Sequence, residues 1–63
     1  MTRVIEIYQR GELIERVQVP EDVDDWTAMA EQQRMSAGRS LSLKMFEDKN
    51  GVRKLLLEAY STC

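Results

Sequence analysis

The sequence predicts an α+β protein, a two-layer ββαββ sandwich with one helix packed on a four-stranded, mostly antiparallel sheet made of two hairpins. Three observations carry this. Two blocks, residues 3–19 and 40–60, alternate with the period of a strand, and each is broken by a glycine in a polar turn, "YQRGEL" and "EDKNGVR". Between them, residues 22–37 carry the capping and spacing of an amphipathic helix. Neither a linker nor a repeat interrupts the 63 residues, which are read as a single domain.

Side-chain parity sets the expected register of the first hairpin. Ile5 and Ile7 share one face, as do Leu13, Val17 and Val19. A two-residue Arg10-Gly11 loop would put these sets on opposite sides of the sheet and oppose Glu6 to Glu15, a like-charge pair. A three-residue loop, Gln9-Arg10-Gly11, removes both faults, with Gly11 at the left-handed position of a type I turn with a G1 bulge.

The helix expectation rests on "PEDVDDW". Asp22 is a good N-cap, Asp25 follows three residues on, and Asp24 adds negative charge where the helix macrodipole favours it. Val23, Trp26, Met29, Ala30 and Ala37 then form the buried row, and Gly38 suits the left-handed position after the last turn. The acidic run is read as helix initiation. As an EF-hand loop it lacks the central glycine, and as a phosphate mimic it has too few acids.

In the second hairpin the same three-residue rule, with Lys49-Asn50-Gly51 as loop, sets Met45 opposite Leu55, Leu43 opposite Leu57, Leu41 opposite Ala59 and Glu47 opposite Arg53. A two-residue Asn50-Gly51 loop would instead oppose Leu43 to Glu58.

Composition excludes several classes of function. The chain has no histidine and one cysteine, Cys63, expected to be a free thiol, so a disulfide or a zinc site as internal support is not expected. Without histidine, acid–base chemistry would need a strongly shifted carboxylate, lysine or tyrosine. No nucleophile has a base beside it in sequence, and there is no glycine-rich phosphate loop. We therefore expect neither an enzyme nor a bound cofactor or metal. Net charge is −2 with both signs mixed throughout, and the longest apolar run, Leu55 to Leu57, is far too short to span a membrane. With no apolar stretch of a signal peptide at the start, a cytoplasmic protein is expected.

The informative feature is the face of the sheet that a single helix cannot cover. From the expected register it carries Val4, Tyr8, Ile14, Phe46, Leu56 and Tyr60, interspersed with Arg16, Lys44 and Lys54 and with Glu6 and Glu58. An antiparallel sheet with one solvated face ordinarily shows polar residues there. Aromatic and aliphatic side chains ringed by both charge signs match a protein interface. A homodimer packed sheet to sheet would bury this face and supplement the small core; another protein partner fits the same pattern. The alternative, single-stranded nucleic acid stacked on Tyr8, Phe46 and Tyr60, is opposed by the acidic pI of about 5.0 and by Glu6 and Glu58 on that face.

In size, and in lacking catalytic groups, the chain resembles the small host-takeover or anti-defence proteins of bacteriophages, some of which are helix-plus-sheet modules of similar length. That resemblance implies an inhibitor that acts by occupying a partner's surface. Short tautomerases are a point of contrast, because they expose a proline as processed N-terminal residue and here Met1 is followed by Thr2.

Overall fold

The structure, a computed structural model, describes residues 2–62; Cys63 lies outside the described residues. Five elements follow in the expected order: β1 (Thr2–Gln9), β2 (Glu12–Val19), α1 (Asp25–Met35), β3 (Leu41–Lys49) and β4 (Val52–Ser61). The four strands form one sheet in the order β2-β1-β3-β4, and every neighbouring pair is antiparallel. Local sequence leaves that order open. It arises because the chain leaves β2 at one end of the sheet and returns through α1, which packs chiefly over β3 and β4, to start β3 beside β1.

Both hairpins differ from expectation in the same way. Their loops have two residues, Arg10-Gly11 and Asn50-Gly51, all with positive φ of 54°, 80°, 52° and 77°. This is the handedness of a type I′ turn, whose twist matches that of the flanking strands. The parity fault of a two-residue loop is removed by a bulge rather than by a longer loop. Tyr8 stands opposite Leu13 but Ile7 opposite Glu15, leaving Ile14 as the extra residue. Phe46 stands opposite Leu55 but Met45 opposite Leu57, leaving Leu56 as the extra residue. Beyond the bulges the sets meet on one side, with Ile5 opposite Val17, Leu43 opposite Ala59, and Glu6 opposite Arg16 instead of a like charge.

The helix is shorter at both ends than 22–37. Its N-cap is Asp24 rather than Asp22: the Asp24 carboxylate accepts from the Thr27 N–H (3.2 Å) and the Thr27 hydroxyl (2.6 Å). The chain turns first, with the Val23 N–H donating to the Pro20 carbonyl at 3.2 Å. Arg3 holds that turn, donating to the carbonyls of Pro20 (2.8 Å) and Val23 (2.6 Å) and pairing with Asp25 (2.5 Å). At the far end the buried Ser61 hydroxyl lies 2.6 Å from the Ser36 carbonyl and 2.9 Å from that of Arg39, with Ser36 as C-cap. Gly38 is left-handed (φ 86°) as expected, but it stands two residues beyond the C-cap Ser36 rather than directly after it, because the helix ends early at Met35.

These polar anchors set the rotation of α1. The seam on the sheet runs through Asp25, Ala28, Met29, Gln32 and Ser36, spaced in threes and fours. The row expected to be buried is therefore corrected. Trp26 is 74% exposed, and Ala30 and Ala37 are exposed too. The core consists of Ile5, Ile7, Val19, Ala28, Met29, Leu41, Leu43 and Met45, with Val17, Val23, Leu56, Leu57 and Ala59 packed against it. Leu13 and Leu55, expected inside, are exposed. Among the described residues, no helix is long and apolar enough to cross a membrane.

Candidate interaction surface

The register lays the uncovered face out in cross-strand rows. The central row reads Arg16, Glu6, Lys44, Glu58 across β2, β1, β3 and β4. On one side of it lies Gln18, Val4, Phe46, Leu55, and on the other Leu13, Tyr8, Ser42, Tyr60. Eight of the eleven residues expected on this face, Val4, Glu6, Tyr8, Arg16, Lys44, Phe46, Glu58 and Tyr60, are thus brought together.

Three are not. Leu56, the bulge residue of β4, is half-buried and packs against the core. Lys54 stands opposite Glu47, whose other neighbour is Arg3, so the register puts Lys54 on the helix side. Ile14, the bulge residue of β2, is exposed without a cross-strand partner. The same one-residue shifts bring Leu13 and Leu55 outward in their place, a change that follows once each turn has two residues.

Glu6 organises the face. Although no layer covers it, its residue is only 2% exposed. One carboxylate oxygen accepts from the Tyr8 hydroxyl at 2.6 Å; the other accepts from Arg16 Nε at 3.2 Å and from the Arg53 guanidinium. Tyr8 donation does most to hold the Glu6 carboxyl below its usual range; burial opposes this, and Arg53 and Arg16 push it lower again. The reciprocal effect raises the Tyr8 hydroxyl above its ordinary value, since the phenol must keep its proton to donate to a carboxylate.

The aromatic rings are drawn into the same network. To reach Glu6 on β1, the Arg53 side chain crosses β3 over the ring of Phe46, with its guanidinium carbon 3.9 Å from the ring centroid. Lys44 Nζ lies 5.4 Å from the centroid of Tyr8. Both are cation–π geometries, and the Arg53 one also screens Phe46 from water. Arg53 was not among the residues expected on this face. Its signal was present in the alternation, because with a two-residue loop Arg53 stands opposite Asp48 rather than Glu47.

Tyr60 keeps a free ring, 64% exposed, while its backbone carbonyl accepts from Gln33 Nε2 of the helix at 2.9 Å. The outcome is a helix-backed antiparallel sheet with an open face of ordered charges and aromatic groups. Comparison of the chain with family models, curated proteins and solved structures gives no match.

Proposed function

We propose that this chain is a small, non-catalytic protein-interaction module of the cytoplasm that acts by occupying a surface, with the uncovered sheet face as its contact area. The observation that carries the reading is the flanking of the Glu6 network by rows of aliphatic and aromatic side chains, Leu13 and Tyr60 on one side and Val4, Phe46 and Leu55 on the other. Tyrosine, phenylalanine and arginine are enriched at protein interfaces, and side chains already held by a network lose little freedom on binding. Such a module either pairs with itself or blocks another protein.

Single-stranded nucleic acid is the weaker reading. The rings of Tyr8 and Phe46 each already carry a cation of the same chain, and Glu6 and Glu58 stand on the same face.

The test uses the double variant Leu13→Glu/Tyr60→Glu, at two exposed positions whose replacement leaves the core untouched. Wild type and variant are compared by circular dichroism, sedimentation and affinity capture. We expect a folded variant that has lost the complexes formed by wild type. A folded variant that keeps all of them overturns the reading.

A further inference from the structure

Resting on that reading, we propose that the partner of the uncovered face is a second copy of this chain, packed sheet to sheet about a two-fold axis parallel to the strands. The argument lies in the order of charges in the central row. Across the sheet it reads positive at Arg16, negative at Glu6, positive at Lys44 and negative at Glu58. Such a row changes sign when reversed. A two-fold parallel to the strands, running between β1 and β3, reverses it: β4 of one copy comes over β2 of the other. At the rims Glu58 then meets Arg16, a pairing that occurs twice, while Lys44 comes over the Arg16–Glu6–Arg53 cluster, whose buried Glu6 is already satisfied within its own chain.

The other two-fold that brings the faces together, perpendicular to the strands, superposes each strand on itself. When it passes through the central row it sets Arg16 on Arg16 and Glu58 on Glu58, two like-charge pairs at the rims. The face therefore discriminates between the two symmetric solutions.

The outer charges have the capacity for this. Glu58 is exposed and has no ion-pair partner among the described residues, and the Arg16 side chain is 60% exposed while already oriented by Glu6. The flanking rows reverse equally well. The exposed Tyr60 comes over Leu13 of the second copy, and Phe46, with Arg53 lying on its ring, comes over Val4. Size agrees too. The molecule is a slab of 36 × 23 × 15 Å, whose broad face sets an upper limit of about 800 Å² on the footprint per copy, the size of a standard specific interface when the whole face is used. Two twisted sheets pack in this aligned way at about 30°.

The experiment is sedimentation equilibrium up to about 1 mM protein, a range that detects weak dimers. It compares wild type, Glu58→Gln, Glu58→Arg, Arg16→Glu and an equimolar mixture of the last two. Wild type should dimerise. Glu58→Arg, which creates two symmetric arginine pairs, should raise the dissociation constant roughly tenfold or more, and Glu58→Gln less. Each charge-reversed chain should be mainly monomeric alone, and the mixture should form a heterodimer in which both pairs are restored.

A wild-type dimer that Glu58→Arg leaves unchanged overturns the proposal, as does a mixture that stays monomeric while both components are folded. Should Arg16→Glu fail to fold beside Glu6, the graded Glu58 series decides alone. A wild type that is monomeric throughout overturns the second copy but leaves the face open to a different protein. Complexes retained by Leu13→Glu/Tyr60→Glu would overturn the face reading itself.

Discussion

The two hairpins are built by one device and come to different ends. Each has a two-residue left-handed turn closed by glycine, and each has one extra residue in its second strand that restores the parity of the apolar sets. In β4 the extra residue, Leu56, packs against the core; in β2 the equivalent Ile14 is exposed. The difference is not in the hairpins. Helix α1 lies chiefly over β3 and β4, so a side chain displaced by the bulge finds a cover there and finds none on β2. A bulge determines how many residues a strand spends, and the layer above determines what that residue is worth.

The largest effect expected on this comparison comes from the covered hairpin. Leu43 is fully buried, and Leu43→Ala should cost about 2–5 kcal/mol in denaturant titration. Loss of less than about 1 kcal/mol would mean that β3 is not the floor of the core.

Next comes the link between the hairpins. Glu6→Ala leaves the Tyr8 hydroxyl, Arg16 and Arg53 without their shared acceptor, though the arginines can recover water, so a loss of roughly 1–3 kcal/mol is expected. Its pH dependence has a definite sign. The Glu6 carboxyl is held below its ordinary value of 4.5, so the unfolded chain takes up the proton first as pH falls. The stabilisation is complete above that value and is lost as pH falls through the lower folded value. Asp24, held down chiefly by the Thr27 hydroxyl and N–H, contributes in the same direction. Unfolding measured from pH 7 to pH 2 should therefore show a shallower acid loss in Glu6→Gln than in wild type, with the remainder tracking Asp24. An identical slope would remove Glu6 from the acid response.

The bulges themselves give a smaller and more pointed contrast. Leu56→Ala should cost about 1–2 kcal/mol, and Ile14→Ala no more than about 0.5 kcal/mol, when the two are measured side by side. Equal losses would show that coverage by α1 does not separate the hairpins. The smallest effect lies in the turns. Asn50 suits a left-handed position, whereas Arg10 occupies one (φ 54°) at a steric cost. Arg10→Asn should stabilise by about 0.5–1 kcal/mol, with Asn50→Arg losing a similar amount. A destabilised Arg10→Asn would mean that the arginine side chain has a role at the turn.

Element order, the helix and both hairpins were legible in the sequence because their signals are local: period-two alternation, a glycine in each turn, an acidic start and a glycine after the last turn. Parity also identified most of both faces correctly, including eight residues of the candidate surface. It could not choose between two ways of repairing parity, a three-residue loop or a two-residue loop with a bulge, since both bring Ile5 and Val17 to one side. The preference of a twisted ribbon for the left-handed two-residue turn made that choice, and with it exchanged Leu56 for Leu55 and moved Lys54 across the sheet.

What the sequence by itself determined is thus the inventory: two amphipathic hairpins, one helix and more apolar surface than one helix can hide. What only the tertiary structure decided is where long-range partners meet. The spacing of Trp26 predicts a core residue, yet the helix is rotated by anchors 22 and 25 residues distant in sequence, Arg3 on Asp25 and Ser61 on Ser36, which leave the tryptophan outside. The Glu6 network likewise joins residues from β1, β2 and β4, brought together by a strand order that nothing local encodes. The physical reason is the same in both cases: capping, turn and alternation energies act within a few residues, whereas helix rotation and strand order are set by which distant polar groups can be satisfied together.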